Sequence, residues 1–432
     1  MNLLRAFVNA FKVPDLRRKI FFTFIIIAIY RFGSHVPTPG IDVEAAQRFQ
    51  DQAQNSGGVL AFINLFSGGA LTQLAVFALG IMPYITSSII MQLLTVVIPK
   101  LEAWSKEGEM GQKKITQWTR YLTVLLAVLQ STGLAFLFSR GDPFGTGIQV
   151  NLIPNFDLMH VSLIVVSLTA GTALIMWLGE LITQRGIGNG MSILIFASII
   201  STLPAEGAGI LRQKGMGPFL VILAIGMFII VAIVIMEQGQ RRIPVQYAKR
   251  IVGRKMYGGQ SVYIPLKVNT AGIIPIIFAS SVLYIPTLLQ NVVQHRGISD
   301  FIDRYLVNST SVVYMLLYGL MVVFFAYFYT AIVFNPVEQA ENMKKYGGFI
   351  PGIRPGRQTA EYLDRILTRI TLPGALFIAA IALLPNIATA LYGIQQLPFG
   401  GTSILITVGV VLETMKQIES QLTMRHYEGF LK

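Results

Sequence analysis

The sequence predicts an all-α membrane protein with ten transmembrane helices. Of its 432 residues, 53% are hydrophobic and only 13% are charged, whereas about 25% are charged in an ordinary soluble domain. Long apolar runs recur along the whole chain, and no stretch of sequence resembles a separate soluble domain. We therefore treat residues 1–432 as a single membrane domain.

Ten apolar runs, bounded by charges or by Gly and Pro clusters, are candidate membrane spans. They lie at 19–36, 73–98, 118–138, 158–180, 188–205, 216–237, 269–290, 309–334, 369–392 and 402–422. An α-helix needs about 20 apolar residues to cross the hydrocarbon core, and most of these runs are close to that length. The first run has no small-residue cleavage site, so we interpret it as a retained span and not as a signal peptide.

The distribution of basic residues predicts the orientation of the chain. Most of the 34 lysines and arginines lie at the N-terminus, the C-terminus and the even-numbered connections between spans. Cytoplasmic segments carry the excess of Lys and Arg, so both termini are predicted to be cytoplasmic. Because ten is twice five, the sequence also permits an inverted repeat, with residues 1–205 as the first half and 206–432 as the second.

Proline interrupts several of the predicted spans. Pro83 lies in the second, Pro275 and Pro286 in the seventh, and Pro373 and Pro385 in the ninth. Backbone groups freed by proline at membrane depth need neighbouring helices or water as partners. Two interpretations stay open: the prolines kink the helices for packing, or they line a water-filled cavity.

Residues 57–71, GGVLAFINLFSGGAL, form a short apolar segment between the first two spans. The segment is too apolar for a solvated loop and too short to cross a membrane. An interfacial helix and a re-entrant helix are both compatible with it. In a re-entrant helix the glycine pairs at 57/58 and 68/69 would be flexible hinges.

Two predicted cytoplasmic connections, 237–268 and 335–368, are long enough to suggest a function. Alternating residues around YGGQ predict a β-hairpin in the first. This hairpin contains five basic residues that we select as candidates for partner contact: Arg241, Arg242, Arg250, Arg254 and Lys255. Topology alone explains basic charge there, but such charge also suits nucleic-acid phosphates or an acidic protein surface.

Several kinds of chemistry are excluded or unsupported by the sequence. The chain contains no cysteine, and its four histidines lack metal-ligand spacing. It has no GxxxxGK[ST] phosphate loop, and RGIGNG at 185–190 is predicted to be a turn that opens the fifth span. We therefore expect a protein that is not an enzyme and that holds no metal and no cofactor.

Five long motifs resemble the SecY family, the central channel subunits of the bacterial protein translocase. They are LAVFALGIMPYITSSIIMQLLTVVIP, WLGELITQRGIGNGMSILIF, QRRIPVQYAKRIVGRKMYGGQSVYIPLKVNTAGIIPIIFASS, FNPVEQAENMKKYGGFIPGIRPGRQTAEYL and LPFGGTSILITVGVVLE. The resemblance runs from the first span to the last. It implies an inverted 5+5 arrangement of helices around a central pore, with residues 57–71 as a short re-entrant plug helix.

The resemblance also implies which residues close the pore. The matching ring positions are Ile81, Ile85, Met191, Ile195, Ile277 and Ile406, and the plug residues are Val59, Leu60, Phe62, Ile63, Leu65 and Phe66. A ring of bulky aliphatic side chains seals by dewetting and yields to a passing polypeptide. Residue spacing alone would favour ordinary helix packing at these positions.

A channel of this family opens sideways to lipid, between spans two and three on one side and seven and eight on the other. Polar residues at such a seam need each other or water. By position the candidates are Thr86, Ser87, Gln92, Gln130 and Asn269. Interhelical hydrogen bonding without a gating role remains an open alternative for each of them.

The resemblance implies partners and a location. The SecA motor ATPase and the ribosome, through its RNA phosphates, would contact the basic loops, including Arg354 and Arg357. SecE and SecG would be membrane partners, and the substrate would be an unfolded preprotein that passes the bacterial plasma membrane or leaves into membrane lipid.

Two competing functions are a secondary transporter and a scaffold without a pore. Transporters place ionisable residues near the membrane midplane. Here Arg31, Glu180, Glu237 and Glu413 lie toward span ends, which favours a passive conduit.

Overall fold

The computed structural model describes most of the chain, with gaps. The described residues are 11–53, 67–139, 153, 156–247, 250–252, 255–257, 261–292, 302–308, 310–392 and 401–430. Most of them are helical, which confirms the predicted all-α class. Each of the ten predicted spans overlaps a helix.

The helices are numbered in chain order. They are α1 Pro14–Gly33, α2 Val43–Ala53, α3 Met82–Val97, α4 Pro99–Lys106, α5 Glu109–Ser139, α6 Leu158–Arg185, α7 Gly190–Lys214, α8 Met216–Gln238, α9 Ile274–Val292, α10 Val312–Val333, α11 Pro336–Lys345, α12 Arg357–Tyr392 and α13 Gly401–Phe430. Within the described part of the chain, six helices are long and apolar enough to cross a membrane, or seven if one bent pair is a single span. The count of ten spans stays a prediction.

The second predicted span, 73–98, is wrong in its first nine residues. Turns occupy this stretch, and α3 begins only at Met82. Two backbone angles prevent a helix there, because φ is +47° at Leu74 and +55° at Gly80. Pro83 therefore lies in the first turn of α3, where its missing N–H costs nothing, and it does not break the span in the middle.

A bend of 100° separates α3 from α4 at Ile98. The extended backbone of Ile98 and Pro99 at the start of α4 produce the break. Helix α4 presents Trp104, with the ammonium groups of Lys100 and Lys114 each 5.6 Å from the centre of its indole ring. The short helix thus leaves the direction of α3 and packs against α5.

Among the described residues, strands occur only in the two long connections. They are β1 Gln240–Tyr247, β2 Arg250–Val252, β3 Lys255–Tyr257, β4 Ser261–Lys267 and β5 Gly348–Phe349. β1 pairs antiparallel with β4, and β2 with β3, which confirms the predicted hairpin. An unpredicted strand from the second connection, β5, also pairs with β1 through Gln246–Phe349 and Tyr247–Gly348. The order of the sheet is β4-β1-β5.

The buried residues form several separate clusters. One cluster joins residues of α1, α6, α7 and α13 to the turn segment before α3. A second joins α8, α9, α10, α12 and α13. A third lies under the sheet and packs strands β1 and β4 on α11 and α12. The first two clusters flank the cavity that forms the candidate site.

Candidate functional site

A cavity of about 720 Å³ lies among helices from both halves of the chain. Its walls come from α3, α5, α6 and α7 in the first half and from α8, α9, α10 and α13 in the second. Ile85, Met191, Ile195 and Ile277, four of the six predicted ring residues, line it. None of the five prolines is among the described residues that line this cavity, so both interpretations of the broken spans stay open.

The wall also carries charged side chains. They are Arg120, Glu180, Glu237, Lys267, Glu413 and Lys416. Glu237 and Lys267 flank the β-hairpin, since α8 ends at Gln238 and β4 ends at Lys267. Charged residues therefore line the cavity where α8 and β4 meet it and on α5, α6 and α13, whereas α3, α7 and α9 contribute aliphatic residues together with the polar side chains of Ser88, Gln92 and Ser192. Opposed charges on one wall leave it with no single sign of potential.

The two remaining ring residues, Ile81 and Ile406, are buried in the cluster that contains Ile195. Their side chains are 2% and 1% exposed. Ile85 and Met191 pack against this same cluster, so five of the six ring residues lie together. The sixth, Ile277, is buried and lines the cavity. The structure brings the ring residues together, and their sealing role stays a prediction.

Close approach of α6 and α7 positions Met191. A Cβ on Gly179 would lie 2.5 Å from the Met191 sulfur, and one on Gly190 would lie 1.8 Å from the Gly179 carbonyl oxygen. The turn before α7 has φ +80° at Gly188, and the Asn189 side chain accepts from the N–H groups of Met191 and Ser192. The prediction of a turn at RGIGNG is thus confirmed. Because α7 begins at this turn, the turn determines where along the cavity wall Met191 lies.

Ile89 was missed by the sequence analysis. It lies one helical turn after Ile85, lines the cavity, and packs on the cluster that contains Ile276 and Phe278 of α9. Ile89 of α3 therefore packs against a cluster to which α9 contributes, and aliphatic residues lie on both sides of the predicted seam. The i, i+4 continuation from Ile81 through Ile85 to Ile89 is a signal that could have identified it.

The predicted polar seam residues have different environments. Ser87 is fully buried, and its hydroxyl donates to the Thr119 carbonyl of α5 at 2.7 Å. Thr86 donates to the Met82 carbonyl within α3. Gln92 is exposed and lines the cavity, whereas Gln130 is half-buried on α5. The Ser87 bond fixes α3 to α5, which is the packing role that the sequence analysis left open.

Asn269 lies at the junction between the hairpin and α9. Its amide Nδ2 donates to Glu237 Oε1 at 2.5 Å and to the Gly272 carbonyl at 3.2 Å. The side chain is buried and lines the cavity beside the end of α8. Asn269 therefore joins the sixth predicted span to the start of the seventh.

The candidate contact arginines are presented on the sheet and the loop beside it. Arg241 and Arg242 are exposed on β1, Arg354 is exposed in the loop before α12, and Arg357 is the exposed first residue of α12. Arg357 pairs with Glu361, Nε to Oε1, at 2.9 Å. Arg250 and Lys255 lie on β2 and β3, and Arg254 lies outside the described residues.

The predicted plug residues, from Val59 to Phe66, lie outside the described part of the chain. The segment that follows them is fixed. Ser67 and Leu71 are buried, and Arg31 Nη1 donates to the Gly68 carbonyl at 2.9 Å. Gly68 was a predicted hinge, and its backbone is held by this contact.

Comparison with known proteins connects this geometry to a family. The family profile named SecY matches residues 75–415. The chain is 56% identical over 440 residues to "Protein translocase subunit SecY" of Streptomyces scabiei, with 100% of both chains covered. It is 52% identical over 442 residues to the protein of the same name from Mycobacterium tuberculosis strain H37Rv, again with 100% of both covered.

Solved structures share the fold. A structure described as a protein conducting channel matches with a TM-score of 0.60 at 18% identity. The match covers 94% of this chain and 92% of the other chain. Sec61 in the canine ribosome-channel complex has a TM-score of 0.58 at 16% identity, with the same shares covered. These matches agree with the predicted fold of helices around a pore. On the profile match and the full-length relatives, the chain belongs to the SecY family.

Proposed function

We propose that the protein is the pore-forming subunit of a bacterial protein translocase. It passes unfolded secretory polypeptides through the cavity and releases hydrophobic segments sideways into lipid. The observation that carries this proposal is the cavity itself, which is built from both halves of the chain and adjoins the clustered aliphatic residues of α3, α7 and α13. Its relatives carry the name protein translocase subunit SecY.

The chemistry of the wall suits a substrate of variable sequence. Aliphatic side chains close a passage because water leaves a narrow apolar channel, and they make no specific bond with the polypeptide. Their low-barrier rotamer changes allow bulky residues to pass, and Met191 is the most adaptable of them. The predicted plug at residues 57–71 would add a second closure, and this role stays a prediction.

The exposed arginines are suited to bind the partner proteins that supply the energy for transport. We propose that the SecA ATPase and the ribosome contact Arg241 and Arg242 on β1 and Arg354 and Arg357 beside β5. Guanidinium groups bind phosphates and carboxylates through paired donors, which suits both ribosomal RNA and an acidic motor surface. Arg250, Arg254 and Lys255 extend the same hairpin.

We place the protein in the bacterial plasma membrane, with both termini in the cytoplasm and with SecE and SecG as membrane partners. Basic residues concentrate on the side of the hairpin, and the positive-inside rule assigns that side to the cytoplasm. Exposed apolar side chains cover α8, including Val221, Phe228 and Ile235, as expected for a helix that faces lipid or another subunit.

Reconstitution tests the proposal. Proteoliposomes that contain the chain with SecE and SecG should import a secretory preprotein when SecA and ATP are added. Arg354→Lys should lower this transport, because an ammonium group cannot reproduce a two-donor guanidinium contact. Arg48→Lys is the matched control, since Arg48 is also exposed but lies on α2, paired with Glu44.

One outcome would contradict the channel function, and another would contradict only the role of Arg354. Counterflow of a small solute without preprotein transport would indicate a secondary transporter, the alternative function, which the comparisons do not favour. Full SecA-driven transport by Arg354→Lys would remove Arg354 from the contact surface while leaving the channel function intact.

A further inference from the structure

The junction between β4 and α9 lies against a glycine in the middle of α12. A Cβ placed on Gly374 would be 2.5 Å from the carbonyl oxygen of Val268 and 3.2 Å from its carbonyl carbon. Real Cβ atoms essentially never approach another heavy atom within 3.0 Å. The group in the way is backbone and not a flexible side chain. Only glycine allows this distance between α12 and the junction.

Val268 is fixed on its other side by α8. Its N–H donates to the Gly239 carbonyl at 3.0 Å, and its Cγ2 would be 3.2 Å from a Cβ on Gly239. The next residue, Asn269, bonds to Glu237 and to Gly272. A displacement of Val268 therefore moves the start of α9, the helix that carries Ile277 in the cavity wall.

The first part of α12 belongs to the packed body under the sheet. Leu363 and Ile366 are buried in a cluster with Ile243, Val245 and Leu266 of the hairpin. β5 pairs with β1, and a Cβ on Gly348 would be 3.0 Å from the Tyr247 ring. The exposed arginines of both connections thus belong to one packed unit that continues along α12.

Helix α12 links this unit to the junction. Pro373, immediately before Gly374, removes one backbone donor from the helix interior. The helix nevertheless continues as one element from Arg357 to Tyr392. Gly374 is buried where it meets Val268.

We propose that Gly374 is a positioning residue that couples the basic cytoplasmic unit to α9, so that a motor bound at the arginines changes the cavity through the Gly374–Val268 contact. The proposal rests on the proposed function. In this coupling the Gly374–Val268 contact transmits movement of the cytoplasmic unit to the start of α9.

The experiment compares SecA-driven preprotein transport in proteoliposomes across a range of SecA concentrations. In Gly374→Ala the added methyl group separates α12 from Val268. We expect the maximum transport rate to fall about tenfold, a common size for coupling effects, while the SecA concentration for half-maximal rate stays within about twofold of wild type. Loss of the fold would lower the amount of protein in the membrane instead, which immunoblotting measures.

Gly133→Ala is the matched control. Gly133 is also a helical glycine, on α5, and a Cβ there meets nothing within 4 Å. Gly239→Ala is the second variant, because a Cβ there lies 3.2 Å from the Val268 side chain and 3.2 Å from the Met236 carbonyl oxygen of α8. In Gly239→Ala the maximum transport rate should also fall, by less than in Gly374→Ala, while the SecA concentration for half-maximal rate stays unchanged. This variant tests the coupling even if Gly374→Ala does not accumulate in the membrane.

Wild-type liposomes that move no preprotein overturn the proposed function and this coupling with it. Wild-type transport together with an unchanged maximum rate in Gly374→Ala overturns the coupling alone. Equal losses in Gly374→Ala and Gly133→Ala also overturn it, because the effect would then come from replacing a helical glycine and not from the contact.

Discussion

Arg120 and Glu180 form a two-point ion pair on the cavity wall. Arg120 Nε donates to Oε1 and Nη2 donates to Oε2 of Glu180, both at 2.7 Å. The pair joins α5 to α6, and the Glu180 side chain is only 16% exposed. Paired donors and acceptors in this geometry make the strongest type of salt bridge.

The ion pair leads to a stability prediction. Exposed pairs contribute about 0–1 kcal/mol, and breaking a buried pair costs about 3–5 kcal/mol. For this partly buried pair we expect Glu180→Gln to lower the free energy of unfolding in detergent by about 1–2 kcal/mol. The control is Glu109→Gln, which removes an exposed pair with Lys113. Equal losses in the two variants would contradict a special role for the cavity pair.

A second prediction concerns the turn before α3. Gly68 and Gly69 both have positive φ, +62° and +89°, so alanine is strained at each. A Cβ on Gly68 also lies 2.9 Å from Arg31 Nη1 and 3.2 Å from Ser198 Cα, whereas one on Gly69 meets nothing within 4 Å. We expect Gly69→Ala to cost about 1 kcal/mol and Gly68→Ala about 1–2 kcal/mol more.

Chemical unfolding of the two alanine variants in detergent measures this difference. Arg31→Met supplies an independent comparison, because it removes the donor to the Gly68 carbonyl without changing the turn backbone. If Gly68→Ala and Gly69→Ala unfold at the same denaturant concentration, the Arg31 contact does not fix this segment.

A third prediction tests the aliphatic wall. Replacing Ile85, Ile195 and Ile277 together with serine should let water enter the passage and raise the resting ion conductance of a planar bilayer. The control is Ile25→Ser, since Ile25 is 57% exposed on α1 and away from the cavity. Unchanged conductance in the triple variant would mean that these residues line the cavity without sealing it.

A fourth prediction concerns lateral release. A leucine in a nascent segment gains about 0.5 kcal/mol at the membrane centre, while a charge loses about 3 kcal/mol. Asn269→Leu and Gln130→Leu should each shift the equilibrium between the closed and the open seam. The shift should be larger in Asn269→Leu, about 1 kcal/mol, because Glu237 loses its hydrogen-bond donor. The sign of the shift is left to the measurement.

The hydrophobicity at which a test segment changes from secretion to membrane insertion measures this balance. Ser87→Ala is an informative comparison, because the Ser87 bond joins α3 to α5 and does not cross to α9. If neither leucine variant moves the insertion threshold, the polar residues serve helix packing alone.

Much of the fold could be predicted because its determinants are local. An apolar run of the right length indicates a membrane helix, whatever the neighbouring helices are. The hairpin was predictable from the alternating residues around YGGQ. The error at 73–81 arose because hydropathy does not contain backbone angles. The apolar residues of that stretch are buried, except for the half-buried Val76, but they lie in turns and not in a helix.

The features that sequence analysis missed depend on distant partners. The Arg120–Glu180 pair joins residues 60 positions apart, and β5 is a two-residue strand that exists only because β1 offers it an edge. The pore residues were selected through resemblance to a family, since their spacing alone is common in any apolar helix. The structure adds Ile89, which local spacing could have included.

The sharp bend after α3 has a mechanical consequence. An indole flanked by two ammonium groups, as at Trp104, is most stable at the level of lipid headgroups. Helix α4 therefore anchors the end of α3 at the headgroup level and opposes displacement of α3 along the membrane normal. The displacement of α3 that meets the least resistance is then parallel to the membrane plane.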